Sequence, residues 1–113
     1  MTVREQRAYV RKLMQEQAFL SDANVSSWAP VLLLDISLHG LSFATPAVVQ
    51  EGEMRELRFR LPGSPRLHHA SVHIAHQTSA GVPVGYKVGA RFENIDALTT
   101  NAITDLLGAP AQP

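Results

Sequence analysis

Polar and small residues interrupt an apolar run at residues 32 to 43, LLLDISLHGLSF, and form the pattern D-x-S-x-x-G at Asp35, Ser37 and Gly40. A carboxylate on a strand surface can accept two adjacent N–H groups from the edge of a guanine base. A glycine permits unusual backbone conformations or the close approach of a ligand to the main chain. Asp and Ser also favour strand ends because they bond nearby backbone N–H groups. The pattern therefore indicates either a ligand site or an ordinary turn.

A second pattern, R-x-x-x-R, occurs near the N-terminus at Arg7 and Arg11. Arginines four apart lie on one side of a helix, and in an irregular segment they can fold around a ligand. A guanidinium can both fork onto a phosphate and stack on a purine. Arg4 and Lys12 extend this basic segment. The alternative to a ligand-binding role is a solvated chain terminus.

The overall charge limits the classes of partner. Ten Lys and Arg residues balance ten Asp and Glu residues, which argues against DNA or RNA binding, for which a basic balance is expected. A short cationic arm on a neutral body suits a small anion better. The sequence contains no cysteine, and we find no signal peptide and no apolar run of about 18 residues. We expect a cytoplasmic protein without a membrane span.

The five histidines do not predict a metal site. His73 and His76 are three apart on a predicted strand and should point to opposite faces, while His69 and His73 should lie about 13 Å apart. We find no cysteine nucleophile, P-loop or nucleophile elbow. The sequence therefore predicts neither an enzyme nor a bound metal or cofactor.

Alternating and apolar segments predict six short strands followed by one helix. The predicted strands are 15–21, 31–36, 41–44, 54–61, 67–78 and 84–93. We expect one domain, 1–113, with a flexible basic arm at 1–13, an antiparallel barrel at 14–93 and a C-terminal helix at 94–108.

Two details of side-chain orientation follow from these elements. On the second strand we expect Leu32, Leu34 and Ile36 to face inward, which places Val31 and Leu33 outside with Asp35. Those apolar side chains would need cover from the arm, the helix or a second copy of the chain. In the helix the predicted apolar stripe is Ile95, Leu98, Ala102, Ile103, Leu106 and Leu107, with Asn94 or Asp96 as the cap and Gly108 as the stop.

Taken together, the motifs resemble the PilZ domain family. The resemblance extends from about residue 4 to residue 107 and includes a late V-G-x-R-F pattern. The residues that carry it are Arg7, Arg11, Asp35, Ser37, Gly40, Val88, Gly89, Arg91 and Phe92. It implies an all-β, six-stranded antiparallel barrel with a C-terminal helix that binds the bacterial second messenger cyclic di-GMP.

The resemblance also implies roles for the motif residues. Arg7 and Arg11 would bind phosphates and guanine, Asp35 would accept the guanine N1 and N2 hydrogens, and Ser37 would bond a phosphate or hold its loop. Gly40 would keep the surface open for the base. The accessory candidates are Arg4, Lys12, His39 and Arg91.

We expect ligand binding to order the N-terminal arm, which an unidentified protein effector would then recognise. A homodimer is a further expectation. The alternative function is a PilZ-like interaction module of pilus or motility machinery that binds no nucleotide, with the motif residues in structural roles.

Overall fold

A computed structural model of the chain describes residues 10–81 and 85–108. Its elements are β1 (Lys12–Ser21), β2 (Trp28–Ile36), β3 (Gly40–Thr45), β4 (Met54–Phe59), β5 (His68–Gly81), β6 (Gly85–Ile95) and α1 (Ala97–Gly108). The strands form a closed barrel in the order β1-β2-β3-β6-β5-β4, and every neighbouring pair is antiparallel. The predicted fold class is confirmed.

The observed elements begin and end at slightly different residues from the predicted ones. β1 starts at Lys12, so Lys12 and Leu13 are in a strand rather than in an arm, and α1 starts at Ala97 rather than at residue 94. Val10 and Arg11 precede β1, and the first part of the predicted arm, residues 1–9, lies outside the described residues. None of the described helices combines the length and apolar character needed to cross a membrane.

The barrel interior is filled by apolar side chains from all six strands, because alternate residues of each strand point inward. The largest fully buried side chains include Phe43, Phe59, Leu33, Leu41, Leu57 and Ile74. Removal of this apolar surface from water is the main stabilising contribution to the fold.

The predicted orientation of β2 is wrong for most of the strand. Val31 and Leu33 are buried in the core, whereas Leu32 is 40% exposed. A β-bulge at Leu34 causes the difference. Leu33 pairs with Phe43 and Asp35 pairs with the adjacent Ser42, so Leu34 has no partner on β3. The extra residue shifts the alternation by one position, so Asp35 lies on the outer face although Leu33 points inward.

Helix α1 closes one part of the barrel through Thr99 and Ile103, which are both fully buried. Asp96 caps it, since its Oδ1 accepts the backbone N–H of Thr99 at 2.7 Å. Hydrogen bonds from Thr99 lower the pKa of Asp96. Leu98 is 60% exposed, so its assignment to the apolar stripe is wrong. Thr99 lies on the inward face beside the predicted Ile103. The other predicted stripe residues, Ile95, Ala102, Leu106 and Leu107, pack against the core.

A buried histidine joins the helix to the barrel. His68 is fully buried, and its Nδ1 and Nε2 atoms lie 3.1 Å from Thr99 Oγ1 and 3.0 Å from Ser64 Oγ. Burial, with a smaller effect from the charge of Arg66, lowers the pKa of His68. The neutral ring satisfies both hydroxyl partners because one nitrogen donates and the other accepts.

Candidate functional site

The structure brings together the two sequence motifs through an ion pair between Arg11 and Asp35. The guanidinium Nη1 of Arg11 donates to Asp35 Oδ1, although the two residues are 24 positions apart in the sequence. The side chain of Asp35 is only 12% exposed, whereas that of Arg11 is 45% exposed. The arginine therefore covers the carboxylate and compensates a charge that would be costly to bury without a partner.

Ser37 holds the turn between β2 and β3. Its backbone N–H donates to the carbonyl oxygen of Gly40 at 2.8 Å. Its Oγ accepts the backbone N–H groups of His39 at 3.1 Å and Gly40 at 3.3 Å. Since Ser37 is 1% exposed, its hydroxyl fixes the shape of the turn that follows Asp35.

Gly40 is required by the close approach of β6. A Cβ atom at this position would lie 2.1 Å from the carbonyl oxygen of Ala90 and 3.0 Å from the Cα atom of Arg91. Its φ angle is outside the left-handed region, so the need is for space rather than for an unusual conformation. The glycine lets β3 and β6 pair closely beneath the outer surface.

The accessory candidates occupy different places. Arg91 pairs with Gly40 on the outer face, and its Nη2 donates to His73 Nδ1 at 3.2 Å. The carbonyl oxygen of His39 accepts the N–H of Phe92, which ties the turn to β6. Lys12 pairs with Ile36, and directly opposed residues share a face, so Lys12 lies on the other face from Asp35. Arg4 and Arg7 lie outside the described residues.

A row of four outward-facing residues crosses the barrel from Asp35. Asp35 on β2 pairs with Ser42 on β3, Ser42 with Gly89 on β6, and Gly89 with His76 on β5. We call these four residues the Asp35 row. The middle of the row is flat because a serine and a glycine carry little or no side chain. Ser42 and His76 belong to none of the sequence motifs, whereas Gly89 belongs to the V-G-x-R-F pattern.

The predicted orientation of His73 and His76 on opposite faces is wrong. A β-bulge at Ala75 separates the pairs Ile74–Ala90 and His76–Gly89. The bulge turns His76 to the outer face, on which His73 already lies opposite Arg91. Across the described residues, no group of three or more His, Asp or Glu side chains is arranged to hold a metal ion.

Three cations lie around the flat middle of the row. On β6, Lys87 and Arg91 are exposed two residues to either side of Gly89, so both share its outward face. Arg11 contributes a third cation at the end of the row that is occupied by Asp35. A flat surface between three cations and one carboxylate suits an anionic ligand that also carries hydrogen-bond donors.

A family model of the PilZ domain matches residues 5–109 of the chain. The chain belongs to the PilZ domain family. No curated protein matches it by sequence, but several solved structures share its fold. MotI/DgrA of Bacillus subtilis, an inhibitor of motility, has a TM-score of 0.76 at 18% identity, over 88% of this chain and 48% of its own.

Two other similar structures contain a nucleotide. YcgR of Escherichia coli in complex with c-di-GMP has a TM-score of 0.72 at 18% identity, over 90% of this chain and 44% of its own. The separate PilZ domain of YcgR with c-di-GMP has a TM-score of 0.70 at 17% identity, over 90% of this chain and 88% of its own. The chain thus spans about half the length of MotI/DgrA and of the longer YcgR chain.

In this PilZ domain, the motif residues occupy two structural settings. Asp35 and Arg11 present charged groups at the outer surface, and Arg11 keeps substantial exposure. Ser37 and Gly40 are buried in the turn and the β3–β6 contact. The first pair lies at the outer surface, whereas the second pair shapes the turn and the strand contact beneath it.

Proposed function

We propose that this PilZ domain is a bacterial cyclic di-GMP receptor without enzymatic activity. The observation that carries the proposal is the convergence of Arg11 and Asp35 on the outer face of the barrel. Cyclic di-GMP combines two phosphates with two guanine bases, so it offers anions to the arginines and N–H donors to the carboxylate. The YcgR structures with c-di-GMP, which share the fold, support the choice of ligand.

The ion pair suggests how a ligand could replace an internal contact of Asp35. In the structure, the guanidinium of Arg11 supplies a donor to the nearly buried carboxylate of Asp35. With ligand, the guanine N1 and N2 hydrogens take over that task, and Arg11 turns to a phosphate or to the guanine surface. The carboxylate keeps a partner in both states, which avoids the cost of a buried unpaired charge.

The remaining motif residues support this exchange. Arg7, four residues before Arg11, would contribute a second guanidinium to the phosphates and bases. Ser37, whose hydroxyl already bonds inside the turn, holds the loop rather than a phosphate. Gly40 keeps the face flat by allowing β6 to approach.

The signal would pass to a protein effector in the cytoplasm through the segment that carries Arg11. Leu13, two residues later, pairs with Asp35 and is 81% exposed. A large apolar side chain on the surface beside the ligand site is suited to a protein contact. Rearrangement of Arg11 on binding would change the surface around Leu13 that the effector meets. A second copy of the chain is the alternative occupant.

A second candidate function is a PilZ interaction module that binds no nucleotide. The observation in its favour is that Asp35, Ser37 and Gly40 all have structural contacts within the chain itself. In that case the Arg11–Asp35 pair would stabilise the start of β1 and would not exchange with a ligand.

Isothermal titration with cyclic di-GMP tests the two candidates. We expect roughly micromolar binding, about 8 kcal/mol, that disappears in an Arg7→Ala, Arg11→Ala double variant. The matched control is an Arg58→Ala, Arg60→Ala variant, which removes the same charge from two exposed positions, one near the end of β4 and one just after it. No heat with the wild-type protein across salt and temperature would refute the receptor and favour the interaction module.

A second titration tests the role of Asp35 with cyclic di-GMP and its adenine analogue. An Asp35→Ala variant should lose affinity for the guanine ligand and much less for the adenine ligand, because only guanine offers adjacent N1 and N2 hydrogens. Equal losses for both ligands would remove the guanine edge from the role of Asp35.

A further inference from the structure

The Asp35 row continues beyond the two motifs, and its far end is built with features that the motif contacts do not explain. His76 lies at this end, on β5, two strands away from Ser42. At a spacing of about 4.8 Å between neighbouring strands, the row from Asp35 to His76 extends over about 14 Å. Arg11 and Asp35 occupy one end of this surface only.

The position of His76 depends on the bulge at Ala75. Without the extra residue, His76 would follow Val72 and Ile74 into the barrel interior, since it has the same parity. The bulge interrupts a regular antiparallel pairing and directs the histidine outward. This local loss of pairing places an aromatic side chain at the edge of the flat surface.

Gly89 provides the space into which the histidine ring fits. A Cβ atom on Gly89 would lie 2.5 Å from His76 Cε1, 2.6 Å from Nε2 and 3.2 Å from Nδ1. The ring therefore rests against the backbone of β6, where any other residue would place its side chain. His76 nevertheless remains an exposed residue, so part of the ring is available to a ligand.

The middle of the row contains an unused hydrogen-bonding group. Ser42 is 6% exposed, and its Oγ is a buried side-chain oxygen without a partner among the described residues. A buried hydroxyl without a partner is costly. The hydroxyl lies between Asp35 and Gly89, so it can donate to a ligand along the row once the side chains that cover it move aside.

The surroundings of His76 favour an anionic, aromatic ligand. Arg91 and Lys87 are exposed on either side of Gly89, and His73 Nδ1 accepts a hydrogen bond from the Arg91 guanidinium. A phosphate would be attracted by the two cations. An aromatic base could stack on the imidazole ring, since such contacts need only the face of each ring.

We propose that His76, seated on Gly89, is the second base-contacting residue of the ligand site. This inference rests on the proposed cyclic di-GMP function. It assigns one guanine to Asp35 and Arg11 and the other guanine to the ring of His76, with the Ser42 hydroxyl donating to the ligand between them. The site is then the whole Asp35 row.

The test is titration of cyclic di-GMP into four variants of the full chain. His76→Ala should weaken binding roughly tenfold, because it removes one stacking contact. His76→Phe should retain most of the affinity, since it keeps a flat aromatic ring. Gly89→Ala should weaken binding like His76→Ala, because the new methyl group displaces the ring. His69→Ala on the same strand, roughly 23 Å away, is the matched control and should bind as the wild type does.

A double variant separates stacking from damage to the fold. If Gly89→Ala acts by displacing the ring, it should cause little further loss in a His76→Ala background, so the two effects will not add. Thermal unfolding of each variant reports any change in stability independently.

The outcomes distinguish this inference from the proposed function. Wild-type binding that is lost without Arg7 and Arg11 but is unchanged in His76→Ala would overturn the role of His76 and leave the receptor in place. Equal weakening in His76→Phe and His76→Ala would overturn the stacking contact. Absence of binding by the wild type would refute the receptor itself, and the inference with it.

Discussion

Replacement of Gly40 by alanine is the sharpest test of how the outer face is constructed. The added Cβ atom would lie 2.1 Å from the carbonyl oxygen of Ala90, so one of the two must move by about 1.3 Å to reach an ordinary contact of 3.4 Å. This oxygen and the nearby Cα atom of Arg91 both belong to the β6 backbone, which cannot rotate away as a side chain could. The strands β3 and β6 must therefore separate locally.

The expected loss of unfolding free energy for Gly40→Ala is about 3 kcal/mol, the upper part of the range for overpacking, because strand hydrogen bonds are strained as well. For a domain of this size, that loss lowers the thermal midpoint by roughly 10 to 20 °C. The measurement is urea and thermal unfolding of the wild type and the variant without ligand.

The matched control is Gly108→Ala, because nothing lies within 4 Å of a Cβ atom at Gly108 and its φ angle is not left-handed. We expect that variant to remain within about 0.5 kcal/mol of the wild type. If Gly40→Ala loses less than about 1 kcal/mol and fails only in ligand binding, the strand-contact argument is refuted. Gly40 would then act by giving the ligand access.

Two further predictions concern stability alone. The pKa of His68 is lower in the folded protein than in the unfolded chain, so on acidification the unfolded chain binds a proton at His68 first. The contribution of neutral His68 to the free energy of unfolding is therefore fully present above pH 6.5. It is lost as the pH falls toward the pKa of the folded state. Chemical unfolding from pH 8 to pH 5 should show this slope, and a His68→Leu variant with the same slope would contradict it. Val25 is an exposed β-branched residue with a φ angle of 56°. Its replacement by asparagine, which tolerates that conformation, should raise the free energy of unfolding by about 1 kcal/mol. Urea unfolding measures the gain, and no change would mean that the loop relieves the strain in another way.

Much of the fold could be predicted from periodicity and turn residues. Clean alternation in MRELRFRL at residues 54 to 61 indicated β4, where Leu57 and Phe59 are fully buried and Arg58 is exposed. The helix was predicted from its spacing, and of the two predicted caps, Asn94 and Asp96, the structure has Asp96. These elements were predictable because each depends on contacts between residues close in sequence.

The errors in side-chain orientation on the strands come from two β-bulges. The bulge at Leu34 reverses the predicted orientation of Val31 and Leu33, and the bulge at Ala75 reverses that of His76. A bulge is determined by pairing with a strand that is distant in sequence, so the alternation of residues within one strand does not predict it. For the same reason the sequence could pair Arg11 and Asp35 as motifs of one family but could not show that Arg11 covers the carboxylate.

The barrel is closed by a short seam. β1 pairs with β4 through three residue pairs only, from Ala18 to Leu20, whereas its pairing with β2 extends back to Lys12. Among the described strands, the first half of β1 thus has a neighbour on one side, and its amide hydrogens should exchange with solvent more readily than those of the seam. Arg11 directly precedes this half. In the proposed receptor, ligand binding at Arg11 would change the opening free energy of this strand edge. The dynamics of β1 would then respond even where the average structure changes little.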